Sequence, residues 1–269
     1  MKRKILVIHN GYPLRGDGGD KVRTLNMLQS LDSIGFDVCL LAFFKKDFSL
    51  LALNKKSVPS NIKSYFIFTL PDRWGLGGIA ALLRAVITWI IVKCNHIELI
   101  QLETSLSASC VRYLKKNILV VTDFHADPVP ELQMNGRTKS SINRAEKDVC
   151  YALSRSQRII AVSNNLANNL KKYYSYDCPF SILPCSFNSE KFHIDPAQMI
   201  ALREKMHLKE RIVLCYLGGL QKWQCVEETL DIFLRLKKKD DMPKSIDDYV
   251  ISYDDTEITG LNVEIIDGI

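Results

Sequence analysis

Short apolar runs of strand type alternate along this chain with segments of helical period, and that alternation constrains the fold more than any other feature. Ile5 to Ile8 is a four-residue apolar run closed by Asn10-Gly11 and Pro13. After a glycine-rich loop, Val22, Leu25, Met27-Leu28 and Leu31 recur at helical spacing until Gly35, and Val38 to Phe44 forms a second apolar run. Strand, loop, helix, strand is a βαβ unit, and its strands are apolar on both faces, as parallel strands covered by helices must be. The pattern continues through strands at Tyr65 to Leu70, Leu99 to Leu102, Leu119 to Thr122, Ile159 to Val162 and Phe180 to Leu183. Helices are predicted at Ile79 to Val92, Ser140 to Ser154 and Ser163 to Tyr174. The expected fold class is α/β: a Rossmann-like, doubly wound parallel sheet.

A polar stretch from His193 to Arg211 interrupts this order. A fresh strand at Ile212 to Tyr216, the pair Gly218-Gly219, a helix at Val226 to Lys237 and strands at Tyr249 to Ser252 and Val263 to Ile266 then begin a second α/β unit. The expected organisation is a first domain over 1–192, a linker over 193–211 and the start of an incomplete second domain over 212–269.

Composition narrows the function. A net charge of +6 on 269 residues, with Lys and Arg scattered, argues against nucleic-acid binding, which gathers cations on one face. Anionic ligands or an anionic membrane surface suit that charge better. The eight cysteines stand singly, without a C-x-x-C pair, as expected of thiols in a reducing compartment and not of a metal-ligand cluster. The basic start Met1-Lys2-Arg3-Lys4 precedes too short an apolar run for a signal peptide, so a cytoplasmic protein is expected. Ile79 to Val92 falls short of the roughly 20 residues that cross a bilayer. It reads as a helix packed on the sheet, with peripheral membrane contact as the alternative.

The loop Gly16-Asp17-Gly18-Gly19-Asp20 lies between a strand and a helix, where backbone N–H groups and the helix dipole favour an anion or a close ligand approach. Its glycines are too late and wrongly spaced for a dinucleotide fingerprint, which argues against a nicotinamide-dependent oxidoreductase. A flexible surface loop needing glycine for positive φ is the bland alternative.

Three segments together resemble the glycosyltransferase B fold, and within it the retaining family 4 of nucleotide-sugar transferases. The first runs from Lys4 through Gly18-Gly19 to Gly35-Phe36-Asp37-Val38, with Phe36 in place of the family's histidine. The second joins Ile159-Ile160-Ala161-Val162-Ser163-Asn164 to the turn from Ile182 to Phe192, with Cys185 and Ser186 in place of Asn and Gly. The third is Val213 to Gln224, where Gly219 replaces a family arginine.

The resemblance implies an enzyme that moves a sugar from a UDP- or GDP-linked donor to a saccharide or glycolipid acceptor, without a cofactor or metal. It implies His125 at the reacting sugar, Gly18 and Gly19 at the acceptor or phosphate loop, and Gly218, Gly219 and Lys222 at the donor diphosphate. Asp123 and Asp127 lie beside His125 with no role marked by the sequence. The family's Glu-x7-Glu segment is absent, so the chain is expected to be incomplete and inactive alone. A non-catalytic acceptor-binding or regulatory remnant is the alternative.

Overall fold

The computed structural model describes residues 2–10, 19–44, 58–70, 77–185, 195–208 and 224–237. The chain divides into two compact units, Met1–Ser186 and Phe187–Ile269.

The first unit is built on seven parallel strands: β1 (Lys4–Asn10), β2 (Asp37–Phe44), β3 (Lys63–Phe68), β4 (Leu99–Glu103), β5 (Leu119–Phe124), β6 (Arg158–Ala161) and β7 (Phe180–Ile182). Their order across the sheet is β3-β2-β1-β4-β5-β6-β7. The chain therefore winds outward from β1 in one direction, crosses over, and continues from β4 in the other. This is the doubly wound α/β arrangement, with its switch point between β1 and β4.

Apolar residues cover both faces. Helix α1 (Gly19–Ser33) sets Leu28, flanked by Leu25 and Leu31, against Ile5, Val7, Val38 and Leu40. Gly35 ends it at φ +97, where a side chain would be strained, while Phe36 N–H returns to the Leu31 carbonyl at 3.1 Å. On the opposite face, Leu6, Ile8, Leu41 and Phe43 meet helix α2 (Gly77–Asn95), a short 3-10 helix at Ser105–Val111, and helices α4 (Lys139–Arg155) and α5 (Asn164–Tyr174). Helix α3 (Pro128–Met134) links β5 to α4.

Several elements differ from the sequence expectation. β1 continues through His9 and Asn10, because their backbones stay in the ladder opposite Ala42 and Phe43. α2 is 19 residues rather than 14, since Gly77-Gly78 and Lys93-Cys94-Asn95 stay helical, and it ends where Asn95 Nδ2 donates to the Ile91 carbonyl before His96 at φ +54. By length and composition it could cross a bilayer. Its buried residues include Arg84 and Thr88, however, and it lies on the sheet. The 3-10 helix and α3 carry no apolar period, so the sequence pattern does not reveal them.

Within the second unit, the expected polar linker holds helix α6 (Pro196–Lys205), whose N-terminus is capped by Asp195 through a 2.9 Å bond from Ala197 N–H. Helix α7 (Val226–Lys237) follows the sequence expectation, whereas the predicted strands at 212–216, 249–252 and 263–266 lie outside the described residues.

Candidate functional site

In parallel strands, residues in register project to the same face, so polar residues at matched positions form a row. His9 on β1 pairs with Glu103 on β4, and Glu103 with Asp123 on β5, all at or near carboxyl ends beside the switch point. All three are buried, Asp123 fully. Burying two carboxylates is prohibitive without partners.

Helix α1 provides them. Arg23 forks onto Asp123 through Nε–Oδ2 at 2.9 Å and Nη2–Oδ1 at 3.0 Å. The same guanidinium donates to the carbonyls of Leu183 and Pro184, tying the end of β7 to α1. Glu103 receives Gln101 Nε2 at 2.7 Å and the Thr24 hydroxyl at 3.3 Å. His125, just beyond β5, completes the group. Its Nε2 lies 3.3 Å from Asp123 and 3.4 Å from Glu103, ion-pair distances without a well-directed hydrogen bond.

Burial alone would lower the His125 pKa, but the two carboxylates overcome it and raise it to about 9. That shift favours the protonated ring at neutral pH. Burial likewise pushes Asp123 up, and His125 and Arg23 more than offset that, holding its carboxyl below the usual range. Two carboxyl groups thus face the Arg23 guanidinium and the His125 ring.

Two neighbouring features have the character of a site. Asn10 donates to the Leu106 carbonyl, but its buried Oδ1 has no partner among the described residues, leaving an acceptor free at the end of β1. Thr104, directly after Glu103, sits at φ +66, ψ 165, a conformation that costs a non-glycine residue about 1–3 kcal/mol and persists where surroundings impose it. Its N–H donates to the Asp123 carbonyl at 3.0 Å, which fixes it against β5.

Of the residues singled out in the sequence, His125 enters this cluster and Gly19 opens α1. A Cβ on Gly19 would meet nothing within 4 Å, so packing among the described residues does not demand glycine there. Gly18, Gly218, Gly219 and Lys222 lie outside the described residues. Asp127 plays a structural part, capping α3 by accepting from Val129 N–H at 3.1 Å and taking the Tyr174 hydroxyl at 3.0 Å.

The sequence marked no metal-ligand cluster, yet ligand atoms of Glu103, Asp123 and His125 lie within 4.8 Å of one another. Their carboxylate oxygens already serve Arg23, Gln101 and Thr24. Sequence reading missed Arg23, Thr24, Gln101 and Glu103. The one available signal was an acidic residue closing the apolar run Leu99 to Leu102, at a position where doubly wound sheets bind ligands.

An all-parallel sheet of this strand order, with a buried ionic row at its switch point, defines a Rossmann-like domain. The Glycosyltransferase Family 4 model matches residues 17–191. The chain belongs to that family, and its fold is that of glycosyltransferase B enzymes. Comparison with curated protein sequences gave no match.

Among solved structures it is similar to Anabaena HepE in complex with UDP, at 15% identity and a TM-score of 0.58, covering 87% of this chain and 57% of that one. It is also similar to sucrose-phosphate synthase from Thermosynechococcus elongatus, at 14% identity and a TM-score of 0.57, covering 76% and 53%. A glycosyltransferase from Rickettsia africae matches at 15% identity and a TM-score of 0.54, covering 87% and 58%. The chain thus spans a little over half the length of each.

Proposed function

We propose that this chain serves retaining transfer of a sugar from a UDP- or GDP-linked donor to a saccharide or lipid-linked acceptor in the cytoplasm. In this reading the first unit supplies the acceptor side, and Gly218, Gly219 and Lys222 contribute to the donor diphosphate site.

The observation that carries the reading is the placement of the His125 ring against Glu103 and Asp123 at the switch point. Glu103 and Asp123 raise its pKa to about 9, which favours the protonated ring. Nε2 faces those carboxylates, which leaves Nδ1–H as the second donor of an imidazolium. A fixed positive donor at a strand end suits a sugar hydroxyl, or an oxygen on which negative charge develops during transfer. Family membership and the likeness to a UDP complex point the same way.

The test is calorimetry on the 269-residue chain with UDP, GDP, their glucose and mannose conjugates, and NAD. Saturable binding of one nucleotide sugar without turnover, weakened about tenfold or more by Lys222→Ala as expected for loss of a charge-assisted phosphate contact, supports the reading. Binding of NAD with no nucleotide-sugar binding overturns it.

A further inference from the structure

Six apolar side chains on α2, Ile79, Leu82, Leu83, Val86, Trp89 and Ile90, are each between 41% and 53% exposed. They recur at intervals of three, one, three, three and one residues, which places them on one stripe of the helix. The opposite face, with Ala80, Ala85, Thr88, Ile91 and Val92, is buried on the sheet. Both faces of the helix are therefore mainly apolar, and among the described residues only one of them is covered.

The setting of the stripe is cationic. From Gly77 to Asn95 the sequence contains no Asp or Glu. At the start of the helix the Arg144 guanidinium lies against Gly77, 3.1 Å from where a Cβ would stand. At its other end, exposed Lys93 sits in the last turn, and Lys63 reaches Asn95 Oδ1 at 2.8 Å.

We infer that the exposed face of α2 docks on an anionic lipid surface, lying in the plane of the interface with the sheet above it. An amphipathic surface that is apolar in the middle and cationic at its ends matches the acyl boundary and the headgroups of such a membrane. Trp89, in the stripe, belongs to the residue type that favours the headgroup level. A transmembrane role is excluded by the other face, which holds the buried Arg84 and Thr88 against the protein.

The orientation has a consequence. α2 runs antiparallel to the strands, since it follows the carboxyl end of β3 and its last residue meets Lys63 and Tyr65 at the start of β3. Ile79, Leu82 and Leu83 therefore lie toward the same end of the sheet as the His125 cluster. The cluster itself lies on the α1 side of the sheet, so docking through α2 leaves it on the face away from the lipid. The inference rests on the exposed stripe and not on the donor chemistry.

The test is sedimentation of the full chain with phosphatidylcholine vesicles, with and without a third phosphatidylglycerol. Binding to the anionic vesicles is expected, reduced about tenfold or more by the pair L82E and V86E, which place charges in the apolar boundary. K93Q is expected to weaken it about fivefold. Circular dichroism and thermal unfolding verify that these surface variants remain folded, and nucleotide-sugar calorimetry is read separately. Two results overturn the inference: equal or absent binding to both vesicle types by the folded protein, or a dimer in sedimentation velocity that the pair L82E and V86E converts to monomer while wild type ignores vesicles.

Discussion

The carboxyl ends of β4 and β5 and the outer face of α2 break the inside-outside rule in opposite senses. At the first, the carboxyl groups of Glu103 and Asp123 are buried, with Arg23 partly buried beside them. At the second, six large apolar side chains face outward. The first departure is settled within the described residues, because each carboxylate meets a cation or a neutral donor. The second is not, and a surface of that kind signals a partner. Buried polarity thus marks where the protein has organised itself, and exposed apolarity where it is organised for something else.

The comparison can be broken most sharply at Asp123. Replacing it with Asn leaves the partly buried Arg23 and His125 without their shared anion, and the unfolding free energy in urea should fall by about 3–5 kcal/mol. A loss below about 1 kcal/mol would mean that the cluster is open to water. Next in size is a contrast on α2 itself. Ile91→Ala removes a buried side chain and should cost about 2–4 kcal/mol, whereas Ile90→Ala, its exposed neighbour, should change stability by less than about 0.5 kcal/mol. Equal losses at the two positions would show that the stripe is covered in the free protein.

A pH titration of stability sharpens the first half of the comparison. His125 has a folded pKa raised to about 9. Its contribution is fully present below the unfolded value of about 6.5 and is lost as pH rises through about 9, a change on the order of 2–3 kcal/mol. Asp123, held low, contributes above the unfolded carboxylate value and loses that contribution in acid. The cluster is thus most stabilising between about pH 4 and 6.5. His125→Gln should flatten the alkaline limb, and an unchanged limb would mean that the imidazolium adds nothing to stability. The smallest expected effect is at Thr104. Glycine there relieves the φ +66 strain but forfeits the bond from Leu106 N–H to the threonine hydroxyl. Differential scanning calorimetry should show a net change within about 1 kcal/mol.

Much of the architecture was legible beforehand. The runs at Ile5 to Ile8 and Val38 to Phe44 could only be strands buried on both faces, and Gly35 marked the end of α1 because the backbone there needs positive φ. Of the buried cluster, the family resemblance singled out only His125. Arg23 looked like one more surface cation on a helix, although its partner Asp123 lies 100 residues away. The segment Ser105–Val111 was invisible because a 3-10 turn of mixed Ser and Ala has no period to detect.

By itself, the sequence determined that strands and helices alternate, that both sheet faces need cover, and that the chain carries the family's motifs, since those follow from local polarity, period and residue identity. The tertiary structure alone decided which charges meet and which apolar face stays bare. Pairing of His9, Glu103 and Asp123 depends on strand order and register, which connect positions far apart in the chain. On α2, where both faces are mainly apolar, periodicity is silent about orientation, and only packing against the sheet selects the face that is left to the outside.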